Sequence, residues 1–268
     1  MKRLTPNPEW PESWRDSYLY DLQEIYGEVS HRGYSYAYQN RRKATLDILT
    51  EVAAPGARIL DIAAAQGNFS LTLAEMGYQV TWNDFREDLA GYVHLKHERG
   101  SLDYRPGNMF DLRVEMPFDI VLMTEVIEHV AHPDQFLQQA AALAKPGGYV
   151  IMTTPNGRYF RNNLPKFSEC EDASRYEAGQ FKPNSDGHIF LLHPEEIRDL
   201  ARHAGLEVDA FTLFTNSLTS GHMKTEALLR VLPECAVRAV EWATRRLPTP
   251  LQEVCLVHTA ARLRKPDQ

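Results

Sequence analysis

From Ala57 to Pro155, short apolar runs alternate with amphipathic stretches, and this rhythm restricts the fold more than any other feature of the chain. The apolar runs read RILDIA, QVTWND, FDIVLMT and YVIMTT. Between them lie NFSLTLAEMGY, REDLAGYVHLKHERG and DQFLQQAAALA, the last closed by Lys145, Pro146, Gly147 and Gly148. Buried runs separated by helical patterns predict βαβ units, and hence an α/β fold with a doubly wound, mostly parallel sheet. The 268 residues suffice for one such domain with decorations.

The flanks carry those decorations. Residues 1–50 are rich in aromatics, among them Trp10, Trp14, Tyr18, Tyr34 and Tyr38, and end in the helical NRRKATLDILTEVAAPG. They read either as a helical cap over a cleft or as aromatic packing against the core. Residues 51–268 form the main domain, within which 157–187 is polar, irregular and too long for an ordinary connection. It is expected to be an insertion or lid after the fifth strand. Pattern returns with a helix from Pro194, the strand EVDAFTLF, helical stretches interrupted at Pro233, and a last strand in VCLVHTAARL.

Charge and cysteine usage narrow the function classes. The net charge of −7 and the pI near 5.8 argue against nucleic acid and anionic lipid as partners. Cys170, Cys235 and Cys255 are odd in number and widely spaced, as free thiols in a reducing compartment can be. With no apolar run long enough to span a bilayer and no apolar leader in MKRLTPNPEW, the expected location is cytoplasmic. Monomer and homodimer both remain open.

The chemistry begins at the turn after the first apolar run: Asp61, Ile62, Ala63, Ala64, Ala65, Gln66, Gly67, Asn68. An acid at the strand end, small residues, then a helix let backbone N–H groups approach a polar ligand. About twenty residues on, Asp84 ends a second strand, placed to accept hydrogen bonds from ribose hydroxyls. A dinucleotide-binding dehydrogenase would need GxGxxG, which this turn lacks.

At these residues the chain resembles the class I S-adenosylmethionine-dependent methyltransferases, in particular the ubiquinone-pathway O-methyltransferases. The resemblance covers residues 57–156 closely and 188–205 loosely. It implies a seven-stranded Rossmann-like methyltransferase sheet and S-adenosylmethionine as cofactor. Asp61, Ala63, Ala65 and Gly67 align with the family's DxGxGxG. Asp84 and Phe85 take the ribose position, Asn108 and Met109 lie near the adenine, and Glu125 follows the fourth strand. Alanine at 63 and 65 departs from the pattern: it resists φ > 0, and its methyl crowds a cofactor lying against the backbone.

The segment Thr124–Glu125–Val126–Ile127–Glu128–His129 lies at the ligand-facing edge of such a sheet. If one helical turn starts there, Glu125, Glu128 and His129 share a face that can hold a divalent cation, Mg2+, Mn2+ or iron rather than structural zinc. The small-RNA 3′-terminal 2′-O-methyltransferases have a similar ExxEH with a further histidine, and His188 stands where that ligand is expected. The alternative is a strand-to-helix turn in which Glu128 and His129 are hydrogen-bonded structurally. His132 and His193, each before a proline, read as helix-start residues. Without a metal, His129 or His188 is the candidate general base.

The resulting expectation is a metal-assisted O-methyltransferase acting on a small molecule, sugar or glycan with adjacent hydroxyls. The rivals are an RNA 3′-terminal 2′-O-methyltransferase and a non-catalytic cofactor-binding or scaffolding protein.

Overall fold

A computed structural model describes residues 1–28, 30–180, 187–221 and 223–267. Two helices lead: α1 (Glu12–Glu24) and α2 (Arg32–Thr50). The alternating region follows as β1 (Arg58–Ile62), α3 (Asn68–Glu75), β2 (Gln79–Trp82), α4 (Leu89–Lys96), β3 (Ser101–Tyr104), β4 (Phe118–Thr124), α5 (Pro133–Leu143) and β5 (Ala144–Pro155). The chain closes with α6 (Pro194–His203), β6 (Glu207–Asn216), α7 (Glu226–Val231), α8 (Glu234–Thr244), α9 (Thr249–Cys255) and β7 (Leu256–Arg264).

The strands form one sheet in the order β3-β2-β1-β4-β5-β7-β6. The first five pair in parallel, and β7 runs antiparallel to both β5 and β6. The sheet is therefore mostly parallel, as the alternation predicts. The strand β3 escaped the sequence reading because SLDY is too short and too half-exposed to stand out from its loop.

Two apolar layers bury the sheet. Leu137, Ile197 and Leu200 of α5 and α6 pack on one face with Val121 and Val150, while Ala44, Leu49, Phe69 and Leu73 of α2 and α3 cover the other with Ile59 and Ile120. The second half of the N-terminal fifty residues is thus part of the core. Arg262 of β7 ties it there, donating from Nη1 to the Ile48 carbonyl and to Glu51, each at 2.7 Å. Upstream aromatics do the packing: Trp10 and Trp14 meet the ring of Tyr92 edge-on, each with centroids 5.9 Å apart.

The histidines before prolines start helices as expected. His132 precedes α5, and His193 caps α6, its backbone N–H donating to Glu196 at 2.8 Å. Segment 157–180 is packed rather than loose: Phe167 and Tyr176 both contact the ring of Phe190, and Gln180 accepts from the Ala131 N–H at 2.8 Å. The remainder of the expected lid, 181–186, lies outside the described residues. Among the described residues no helix is long and apolar enough to cross a membrane.

Candidate active site

Parallel strands deliver their carboxyl ends to one edge, and every turn singled out in the sequence gathers there. Asp61 ends β1 fully buried, accepting from the Ser70 hydroxyl at 2.5 Å through Oδ2 while Oδ1 has no partner. Burial, partly opposed by the Ser70 hydrogen bonds, pushes its carboxyl up to about 7. The turn is held from beneath: Ala64 N–H donates to the Asn83 carbonyl and Gly67 N–H to the Ala64 carbonyl, both at 2.8 Å. Ala65 N–H donates to Asp84 at 2.8 Å, and the Arg86 side chain reaches the same carboxylate at 3.0 Å.

The two alanines do what alanine resists. Ala63 and Ala65 adopt φ of 54° and 47°, the left-handed region natural for glycine. The turn's shape is dictated by its anchors just past β2, at Asn83 and Asp84, and the side chains submit to it. Gly67 is different, because at φ 72° any Cβ would stand 2.8 Å from Val93 Cγ1.

Beside the turn lies a mainly apolar cavity of about 270 Å³, walled by Ala63, Phe85, Asn108, Met109, Phe136 and Gln180 among others. An apolar slot next to a left-handed turn, an orphan carboxylate oxygen on Asp61 and an acid at Asp84 fit a nucleoside bearing a polar tail. The residues present therefore suit S-adenosylmethionine. Phe85 is 69% exposed at the rim, and the Asn108 side chain caps the short turn Met109–Asp111.

At the end of β4 the geometry departs from the expected single face. Only Ile127–His129 forms a short 3₁₀ turn, and Glu125 stands before it at φ 54°. That left-handed residue reverses the chain between strand and turn, so Glu125 does not share the helical face of Glu128 and His129. Its carboxylate turns instead toward Arg41 on α2, at 3.4 Å, and His258 on β7, at 3.7 Å. Burial acts to raise its pKa, but Arg41 and then His258 outweigh it and hold Glu125 below the usual carboxylate range.

Glu128, His129 and His188 do come together, with one ligand atom from each within 4.8 Å of the others. Glu128 is fully buried, with Oε2 accepting from the Thr154 hydroxyl at 3.1 Å and Oε1 unpartnered. Burial, reinforced by the charge on Glu125, raises its pKa well above the ordinary value. The backbone holds the third member: Ile189 N–H donates to the Glu128 carbonyl at 2.7 Å, bringing the His188 ring 4.8 Å from that of His129. A buried carboxylate oxygen without a partner and two imidazoles form a donor set that suits a divalent cation.

Residues 35–210 match a family model described as a methyltransferase domain. The chain belongs to that family. More narrowly, it is a class I S-adenosylmethionine-dependent methyltransferase of the ubiquinone O-methyltransferase-like branch. Among its relatives, ubiquinone biosynthesis O-methyltransferases from Xanthomonas campestris and Xanthomonas euvesicatoria are 37% and 30% identical, each over 60% of this chain and 67% of their own length. One from Caulobacter sp. is 33% identical over 61% of this chain and 65% of its own. This methyltransferase thus spans about two thirds of the length of the curated relatives it matches.

Solved structures agree on the fold. Magnesium protoporphyrin IX methyltransferase from Synechocystis PCC 6803 superposes with a TM-score of 0.56 at 13% identity, covering 95% of this chain and 97% of that one. An S-adenosylmethionine-dependent methyltransferase from Mesorhizobium loti gives 0.55 at 13%, covering 83% and 96%.

Arg41 and His258 were not legible as site residues. Arg41 sits in a run of cations that reads as a solvated helix face, and His258 lies in a strand 133 residues beyond Glu125.

Proposed function

We propose that this methyltransferase transfers a methyl group to a hydroxyl oxygen of a small molecule bearing adjacent hydroxyls, assisted by a divalent cation. The observation that carries the reading is the convergence of Glu128, His129 and His188 at the end of β4, beside the cofactor turn. The relatives' naming as O-methyltransferases supports an oxygen acceptor. Glycan acceptors fit the same chemistry if they present vicinal hydroxyls, whereas the acidic charge balance disfavours RNA.

The cofactor supplies an electrophilic methyl on a sulfonium. A cation held by Glu128, His129 and His188 would lower the pKa of a bound hydroxyl. The chain's own residues do the rest. Asp84 and the cavity lined by Phe85 would hold the nucleoside, and Asp61 would offer its unpartnered oxygen to the polar tail. Where no cation is bound, His129 or His188 is the base that accepts the acceptor's proton. The segment reaching Gln180 and the helix α2 exclude solvent, so much of the rate comes from holding the nucleophile in line.

The test uses catechol and phenol as probes with labelled methyl donor, Mn2+ or Mg2+, and excess EDTA. Methylation of catechol over phenol, abolished by EDTA and restored by the cation, is the expected result. Full activity in EDTA refutes the cation, and transfer to amines but not to hydroxyls refutes the oxygen acceptor.

A further inference from the structure

A second polar assembly joins the cofactor turn to helices α1 and α4. Lys96, at the end of α4, has no solvent-exposed surface, and its partner Asp21 on α1 has none either. The ammonium donates to Asp21 Oδ2 and to Asn68 Oδ1, both at 2.6 Å, and to the Gln66 carbonyl at 3.0 Å. Asp21 also accepts from Tyr92 Oη at 2.8 Å and from Asn68 Nδ2 at 2.9 Å. One helical turn on, Glu24 accepts through Oε2 from Asn68 Nδ2 at 2.9 Å and from Gln66 Nε2 at 3.0 Å, and through Oε1 from Tyr34 Oη at 2.5 Å.

Gln66 and Asn68 are the two residues flanking Gly67, the left-handed hinge of the cofactor turn. Three ionisable groups from two remote helices converge on one peptide's neighbours. Stability alone does not explain the choice, since a buried ion pair contributes no more, and often less, than a well-packed apolar pair. What charge adds is direction. It fixes the carbonyl of Gln66 and the amide of Asn68, and it makes docking of α1 depend on the turn's conformation.

We propose that Asp21, Glu24 and Lys96 are positioning residues for the cofactor turn, and that they latch α1 to it so that cofactor occupancy and closure of the N-terminal helices reinforce each other. The coupling is reciprocal by linkage: a cofactor that favours the latched turn favours docked α1, and docked α1 tightens cofactor binding to the same degree. Through Glu24 the latch also reaches α2, whose Tyr34 it bonds and whose Arg41 it attracts; Arg41 in turn faces Glu125. The proposal rests on the family assignment only in taking the cofactor as the turn's ligand.

The test is binding of S-adenosylhomocysteine, without turnover, to the full chain. Hydrogen exchange of the wild type is expected to slow across residues 12–24, as well as across the turn, when the ligand is added. In Lys96→Met with Asp21→Leu, which removes both charges together, the Kd is expected to weaken at least tenfold and protection of 12–24 to disappear, with circular dichroism unchanged. Glu24→Gln, nearly isosteric, provides a milder arm with an expected three- to tenfold loss. A folded double variant, or a folded Glu24→Gln, that keeps the wild-type Kd within twofold overturns the latch. So does ligand protection of the turn without protection of 12–24. A wild type that binds no S-adenosylhomocysteine refutes the cofactor reading itself, a result distinct from either.

Discussion

Replacing Ala63 and Ala65 by glycine tests whether the turn is strained in the sense its dihedrals imply. Both residues hold φ near 50°, a conformation that costs an L-residue about 1–2 kcal/mol. Glycine removes that strain but adds unfolded-state entropy worth about 0.4–1 kcal/mol. The net expectation is roughly 0.5–1 kcal/mol of stabilisation per site and about 1–2 kcal/mol for the pair, from the same two terms. For a chain of this size that raises Tm by about 2–6 °C. Gly67→Ala is the opposing control. Its Cβ would meet Val93 Cγ1 at 2.8 Å on a backbone at φ 72°. Strain plus overpacking, less the entropy gained, predicts a loss of about 2–4 kcal/mol. Differential scanning fluorimetry reads both series, and titration with S-adenosylhomocysteine shows whether losing the methyls also tightens binding. A Tm that falls in Ala63→Gly/Ala65→Gly refutes the left-handed assignment.

Other expectations follow from the same geometry. Asp61 has a folded pKa near 7 against 3.8 in the unfolded chain, so the folded state binds its proton more tightly. Its contribution is therefore complete at low pH and is lost as pH rises from about 4 through 7, on the order of a few kcal/mol. Asp61→Asn should stabilise the ligand-free protein at pH 8 and give little advantage at pH 4; a Tm difference that does not vary with pH would contradict the burial argument. His129→Ala should lower the methyl-transfer rate at least a hundredfold while moving Tm by only a few degrees; equal rates per folded molecule would make the residue structural. Gly33→Ala places a Cβ 2.6 Å from the Gly221 backbone and should destabilise by about 1–3 kcal/mol, read by denaturant unfolding; no change in midpoint would mean the two segments are not packed.

Much of the architecture was legible because it rests on local periodicity. Apolar runs at βα spacing specify strands and helices, and a strand ending in an acid before small residues specifies the turn after Asp61. Asn108, Met109 and Phe85 lie beside one cavity for the same reason: the loops that carry them all leave the same sheet edge. The helix starts at His132 and His193 were readable because the following proline suits a first helical position.

The face assumed at Glu125 was not readable, because it depends on one residue's φ. A left-handed Glu125 arises from its setting, where its N–H is held by the Thr153 carbonyl at 2.9 Å and its carboxylate meets Arg41 and His258. Periodicity cannot see such a reversal. The same holds for Lys96 and Asp21, 75 residues apart, whose pairing exists only once α1 has docked. The sequence by itself determined most strands of the sheet, the small-residue turn after Asp61 and the ExxEH segment, since each is encoded within a few neighbouring residues. Only the tertiary structure decided which charges face one another, because electrostatic partners are chosen by distance in space under burial, and no local pattern records that distance.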